Sequence, residues 1–324
     1  MLRKHSLEIL IAILFIFIFA AVLKLANFKT VQNNEVNIKQ PRIALIAHVK
    51  YNPYWDIVKK GAEKAAKERG CILEYYGSST ANVDEDLNLI NMNIAAKVNG
   101  IITYVQEESK YSPAIDMGIE KGIPVITIDT DAKTSKRIAY VGTDNVEAGR
   151  KAGAVLWEKA SSAPKIGVIM AGFSTTNQVQ RLDGFKNYLS TKPESDIVSV
   201  ESSNSNELNA KLAAEKIISE HPEVNFLYCL SAVDGIGAAK AVTENDLQNK
   251  ISIICFDDLP ETLEFIKSGV IYASIVQRPY DMGYRSVNMI MDKIGGKSIE
   301  DVNITNTIIV TQSNVGSYNK NQKE

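Results

Sequence analysis

Two aspartates, an arginine, a glutamine and a cluster of aromatics stand where an alternating chain would gather them. Asp129 ends the apolar run IPVITI, and Asp257 ends ISIICF. Tyr51-Asn52-Pro53-Tyr54-Trp55 follows RIALIAHV, and Gln277-Arg278-Pro279 follows IYASIV. Gln178, Gln180 and Arg181 open a further helical stretch. Carboxylates accept from two adjacent hydroxyls, whereas Arg, Asn and Gln donate or bridge. Aromatic faces cover weakly apolar C–H surfaces. This set suits a ring of hydroxyls over C–H faces, which is a sugar. Each group also has a local alternative. Asp129 and Asp257 could cap helices or hold turns, Tyr54 or Trp55 could be core, and Arg181 could pair at the surface.

The elements that must position these groups alternate along the chain. Short apolar strands are expected at 42–49, 71–76, 100–104 and 123–128, then at 165–170, 196–201, 225–230, 251–256 and 271–276. Helices are expected at 54–69, 83–97 and 113–121. A second series follows at 145–160, 177–190, 206–220, 234–243, 260–267 and 280–294. In the first helix Trp55, Val58, Ala62, Ala65 and Ala66 share one face, and Gly70 is the stop. Strands alternating with helices imply right-handed crossovers and parallel sheets covered on both faces. Ligands collect at the carboxyl ends of such strands, where the groups above fall.

Other chemistries find little support. The chain has 324 residues, 45% hydrophobic and 23% charged, with a net charge of −2. That balance gives no global pull toward nucleic acid. The three cysteines, Cys71, Cys229 and Cys255, are scattered through apolar runs and read as buried thiols. GIGAAKA (235–241) has Lys240 at its third glycine position, so tight packing is preferred to a dinucleotide site. No Walker loop, Gly-x-Ser-x-Gly elbow or His-Glu-x-x-His occurs. His48 is on the first strand and could approach the cleft, but no nucleophile or metal partner accompanies it. The expectation is a binding protein rather than an enzyme, with no cofactor and no metal.

The N-terminus carries its own signal. Ile9 to Leu23 is unbroken and apolar, preceded by Arg3 and Lys4 and followed by Lys24 and Lys29. Extended over 7–26, it could cross roughly 30 Å of hydrocarbon as a helix. The rival is a cleaved signal peptide, but AAVLKLANF offers no clean small-x-small site. The basic flank on the short side places the long domain outside. Asn27 to Gln40 is polar and reads as a tether.

From Pro41 to about Ser317 the chain resembles the periplasmic sugar-binding proteins of the ribose and galactose type. RIALIAHVKYNPYWDIVKKGAEKAAKERG is similar to that family's first strand, Asn-Pro-aromatic-aromatic turn and first helix. IPVITIDTD resembles the strand leading to its sugar-binding Asp, and YVGTDNVEAGRKAG its crossover between lobes. QVQRLDGF resembles its Arg-x-x-Gly-Phe segment. ICFDDLPETLEFIKSGVIYASIVQRPYDMG resembles its Phe-Asp strand end and Gln-x-Pro hinge. The resemblance implies a type I periplasmic binding protein, with two Rossmann-like lobes joined by three crossovers, here with one N-terminal transmembrane helix. It implies an N-terminal lobe of 41–143 and 278–306 and a C-terminal lobe of 144–277 and 307–318, with 319–324 as a tail. By motif, Asn52, Asp129, Arg181, Asp257 and Gln277 would bond hydroxyls. Tyr54, Trp55 and Phe256 would cover the ring, and Thr143 would sit at the first crossover. Thr130 stands where the family often has Arg. Ser231, which stands where it has Asn, is retained in the site. The sugar is therefore not copied from ribose binders.

A chain held at the membrane suggests signalling. The chain resembles membrane-anchored pentose-sensing binding proteins, xylose favoured, which implies a membrane sensor histidine kinase as partner. The alternative is the binding subunit of a sugar ABC transporter, with a permease as partner.

Overall fold

This computed structural model describes residues 13–24, 40–161, 163–192 and 195–318. The chain divides into two units, Met1–Gln40 and Pro41–Glu324. In the first, residues 13–24 form a helix whose every residue is exposed, Phe15, Phe17 and Phe19 among them. The expected span over 7–26 runs past both ends of this helix, beyond the described residues. Among the described residues no helix is long and apolar enough to cross a membrane. The tether, apart from Gln40, and the tail at 319–324 also fall outside the described residues.

The second unit holds two six-stranded sheets, each covered by helices. In the N-terminal lobe the chain runs β1 (Arg42–Ala47), α1 (Pro53–Arg69), β2 (Ile72–Gly77), α2 (Val83–Ala95), β3 (Gly100–Thr103), α3 (Glu108–Glu120), β4 (Val125–Ile128) and β5 (Ala139–Gly142). It crosses to the C-terminal lobe for α4 (Asn145–Lys159), β6 (Lys165–Met170), α5 (Thr176–Leu189), β7 (Asp196–Ser202), α6 (Glu207–Glu220) and β8 (Phe226–Cys229). There α7 (Ala232–Glu244), β9 (Ser252–Phe256), α8 (Pro260–Ser268) and β10 (Ile271–Val276) follow. It returns for α9 (Pro279–Ile294) and β11 (Val302–Ile304), then crosses again to β12 (Ile308–Thr311). The sheet orders are β11-β5-β4-β3-β1-β2 and β12-β10-β9-β8-β6-β7. The chain thus passes between sheets at 143–144, 277–278 and 305–307.

Side-chain alternation on the strands builds a core on both faces of each sheet. Ile43, Leu45 and Ala47 of β1 pack toward α1 and α9. Ala44 and Ile46 face α2 and α3 on the other side. In the second sheet Ile166, Val168 and Met170 pack with α4 and α5, while Ile169 faces α6, α7 and α8. Strands buried on both faces read as continuous apolar runs, which is why they were visible in the sequence.

Three departures have physical causes. Helix α3 begins at Glu108, with Pro113 inside it rather than at its head. Pro113 is the sixth helical residue, past the early unpaired amides, so it costs the helix the i→i−4 bond to Ser109 and the helix continues around it. Strands β5 and β12 each follow another strand with no helix between, so strand–helix alternation does not announce them, and β11 spans only three residues. Strand β12 pairs antiparallel with β10, so the second sheet is not wholly parallel. It enters directly from the other lobe without an intervening helix.

The two lobes share one helix-packing device. A Cβ on Gly61 of α1 would collide with the Tyr280 carbonyl of α9, and one on Gly283 of α9 with the Val58 carbonyl of α1. In the C-terminal lobe Gly184 of α5 meets the Val146 carbonyl of α4, and Gly149 meets the Arg181 carbonyl, in the same relation. Backbones this close tolerate no side chain. Substituting Gly61 or Gly184 with Ala is expected to destabilise the unit by about 1–3 kcal/mol through overpacking. Gly316→Ala, whose Cβ meets nothing within 4 Å, is expected to melt like the parent in thermal denaturation.

Candidate functional site

The carboxyl ends of both sets of strands face one another across a cavity of about 580 Å³, including its open mouth. Asp129 follows β4 and Asp257 follows β9, which are corresponding strands of the two sheets. Both are left-handed, with φ of 66° and 65°. Asp is one of the few residues that tolerates this region, because its short polar side chain bonds locally. Each is pinned in the same way. The Asp129 N–H donates to Val141 O at 3.0 Å, and the Asp257 N–H to Ile275 O at 3.1 Å. The hydroxyls of Tyr140 and Ser274, at matching positions on the next strand, donate to the two aspartate carbonyls at 3.0 and 2.5 Å. The αL turn lifts each carboxylate off its sheet and into the cavity.

Arg181 on α5 holds the space between them. Its Nε donates to Asn145 Oδ1 at 2.9 Å, one terminal nitrogen to Leu230 O at 2.8 Å, and the other to Gln277 Oε1 at 2.8 Å. The guanidinium lies 4.1 Å above the Phe256 ring. Gln277 turns its Nε2 onto Asp257 Oδ1 at 3.0 Å and accepts from Thr143 Oγ1 at 2.9 Å. Burial pushes the Asp257 carboxyl up to about 6, against the pull of Arg181. Burial raises Asp129 as well, opposed first by Arg181 and then by its hydrogen bonds.

The N-terminal lobe supplies an aromatic wall. Trp55 meets Tyr54 and Tyr104 edge-on, with centroids 5.8 and 5.6 Å apart, and Tyr104 lies 4.5 Å from the His48 ring. The Tyr54 hydroxyl donates to Asp129 Oδ1 at 2.6 Å. Asn52 caps α1 by accepting the Tyr54 N–H at 2.9 Å, which leaves its amide nitrogen for the cavity. Ser231 caps α7 and spends its hydroxyl on Asp234 Oδ2 at 2.7 Å.

Of the residues expected from the sequence, Asn52, Tyr54, Trp55, Asp129, Arg181, Ser231, Asp257 and Gln277 line this one cavity. Two do not. Phe256, expected to cover a ring, is fully buried beneath Arg181 and packs 6.4 Å from Tyr228 in the lobe core. The strand alternation that sends Asp257 outward sends Phe256 inward. Thr143, at the first crossover, reaches the cavity only through Gln277.

Sequence reasoning passed over several lining groups. Tyr104 stands just past the end of β3 and was open to the strand-end rule. Thr175 and Asn177 flank the start of α5, and Asn177 Nδ2 donates to Asp129 Oδ2 at 2.9 Å. Ser205 approaches His48 Nε2 at 3.4 Å from the opposite lobe. Burial holds His48 down at about 4, so the ring is neutral. The pairings of Asn177 and Ser205 join distant stretches of chain, and no local pattern signals them.

GIGAAKA packs as expected. A Cβ on Gly235 would press on Cys255, and one on Gly237 on the start of α6. All three thiols are free, Cys229 and Cys255 buried and Cys71 partly so.

Comparison with known proteins places this geometry. The model of the periplasmic binding protein domain matches residues 43–298. The ribose import binding protein RbsB of Bacillus subtilis (strain 168) is 26% identical over 273 residues, covering 83% of this chain and 86% of the relative. The structure of the XylFII-LytSN complex superposes with a TM-score of 0.82 at 46% identity, covering 85% of this chain and 98% of that one. GanP, a glucose-galactose binding protein from Geobacillus stearothermophilus, superposes with a TM-score of 0.82 at 40% identity, covering 85% and 98%. Matched along most of its compact unit, and built on the same two-lobed frame as relatives named for the sugars they bind, this chain belongs to the periplasmic binding protein family.

Proposed function

We propose that this protein binds a monosaccharide between its lobes, a pentose with xylose favoured, and presents the closed form to a membrane sensor histidine kinase. The observation that carries the reading is the placement of Asp129 and Asp257 on opposing strand ends around Arg181. Two carboxylates and one guanidinium match adjacent hydroxyls, and the Trp55–Tyr104 wall matches a C–H face. The pentose preference is supported by likeness to XylFII and, more distantly, to the xylose/arabinose-binding protein XylF of Sulfolobus acidocaldarius. The partner is supported by the neighbour solved as the XylFII-LytSN complex. Asn52, Asp129, Arg181, Asp257 and Gln277 would bond the hydroxyls, with Thr143 setting Gln277. The lobe assignments and the extracytoplasmic placement belong to the same reading, as does action without catalysis.

Membrane attachment is the second part of the proposal. Its support is the helix over 13–24, which is apolar on all sides up to Lys24 and exposed along its length. Such a helix needs an apolar environment. Closure can move the partner only by the sugar's differential affinity for open and closed states. A transporter subunit is the alternative, supported by the import proteins among the relatives.

A thermal-shift screen of residues 41–324 against pentoses and hexoses tests the sugar. At about 100 times its dissociation constant a specific ligand adds about 2.7 kcal/mol. Asp129→Asn and Asp257→Asn keep the left-handed turn and remove the charge, and each is expected to weaken binding at least about tenfold. Unchanged affinity in both would reject this cavity as the binding site.

The pH dependence has a defined sign. The carboxylate form of Asp257 accepts hydroxyls best, and its pKa is about 6. Affinity is therefore expected to plateau above pH 7 and to fall as pH drops through 6, measured by titration calorimetry. The unliganded fold responds oppositely. Asp86, Asp234 and Asp257 are each raised to about 6 by burial, so their contribution to stability grows as pH falls through that value. His48, held down at about 4 by burial, acts the other way: the unfolded chain takes up the proton first, so its contribution to stability is lost as pH falls from 6.5 toward 4.

Mass spectrometry of the native membrane form tests the anchor. An intact N-terminus is expected, and a mature start near Asn27 would mean cleavage and favour the transporter reading.

A further inference from the structure

The two helices that open onto the cavity from corresponding strands, α1 and α5, begin differently. The first residue of α1 is Pro53, which carries no N–H, and Asn52 caps the turn with its side chain. The first residue of α5 is Thr176, which keeps its N–H, and Thr175 makes no side-chain cap. The early amides of a helix need partners from outside it. That of Thr176 finds one in the opposite lobe. It donates to the Gln106 carbonyl at 3.1 Å, and the Thr176 hydroxyl reaches the same oxygen at 3.3 Å.

Gln106 lies in the loop between β3 and α3, and neither it nor Thr176 lines the cavity. The residues on either side of Thr176 do. Thr175 faces the cavity, and Asn177 donates to Asp129 across it. Thr175, Thr176 and Asn177 share the first turn of α5, so shutting the cavity would bring the Thr176 amide to Gln106 in the same motion. Separating the lobes leaves the Thr176 amide with water alone.

We infer that Thr176 and Gln106 form a closure latch, a backbone bond present only in the shut form, which adds to sugar affinity without touching the sugar. The inference rests on the reading of the cavity as a sugar cleft. The latch makes Thr176 a positioning residue. It biases the open–closed equilibrium toward the state in which Asp129 and Asp257 converge on one ligand.

Thr176→Pro tests this cleanly. Proline is favoured at the first helical position, and Thr175 already has an extended backbone, with φ −72° and ψ 102°, that suits the residue before a proline. The substitution removes the latch donor and leaves the helix. The probe is whichever of D-xylose, L-arabinose, D-ribose, D-glucose and D-galactose gives the largest thermal shift with residues 41–324. Thr176→Pro is expected to melt like the parent without sugar, to bind about threefold to tenfold more weakly, and to release sugar faster. Thr176→Val keeps the amide and should lose less. In the unaltered protein, exchange of the Thr176 amide measured by NMR should slow at least about tenfold on adding sugar.

Parental affinity and release rate in Thr176→Pro would overturn the latch. So would a loss in Thr176→Val as large as that in Thr176→Pro, or an amide that exchanges equally fast with and without sugar. A parent protein that binds none of the five sugars would overturn the cleft reading and this inference together.

Discussion

The structure around the cavity depends on one buried cation. Arg181 is almost wholly removed from water. An uncompensated charge there would cost several kcal/mol, so the guanidinium is packed and hydrogen-bonded on the sides turned away from the cavity. Below it lies the Phe256 ring, backed by Tyr228, which is itself stacked on Phe185 at 4.1 Å. Beside it are Asn145 from the first crossover, Leu230 from the end of β8 and Gln277 from the second crossover. The positive charge opposes the burial that would otherwise drive Asp129 and Asp257 further toward protonation. One side chain thereby joins the lobe core, two of the chain passages and both acidic groups.

The two acidic groups show the same economy repeated. Each sits in a left-handed turn after a corresponding strand, with its N–H on the next strand and its carbonyl held by a hydroxyl from that strand. The glycine contacts of α1 with α9, and of α5 with α4, repeat in the same way. Two lobes built to one plan present equivalent groups face to face. The helix starts differ, one lobe offering Asn52 and Pro53 and the other Thr175 and Thr176. That asymmetry gives one lobe an amide that the other lobe accepts.

Much of the fold was legible because doubly covered strands are uninterrupted apolar runs and the helices between them keep one apolar face. RIALIA, VITI and SIICF stood out in this way, as did the stop at Gly70. Strands β5 and β12 did not, because each follows another strand with no helix between and so falls outside the alternation, and β11 spans only three residues. The strand-end rule found Asn52, Tyr54, Trp55, Asp129, Gln178, Arg181, Asp257 and Gln277, which line the cavity, and the family resemblance added Ser231. Tyr104 also lines the cavity, because β3 ends at Thr103, one residue before the end of the strand expected at 100–104. Phe256, placed over the ring by the family resemblance, is separated from Asp257 by strand alternation and lies in the lobe core.

By itself the sequence determined the class of fold, the order of its elements and the chemical types gathered at the strand ends. Those follow from local periodicity and from side-chain chemistry, which are properties of neighbouring residues. Tertiary structure decided which polar groups face the cavity and which are spent on one another. Thr143 and Ser231 are held by Gln277 and Asp234, and Arg181 is divided among three partners, all of them distant in the chain. A hydrogen bond is fixed by distance and direction in space, and residues as far apart as Asp129 and Asn177, or Gln106 and Thr176, acquire those only when the sheets are assembled.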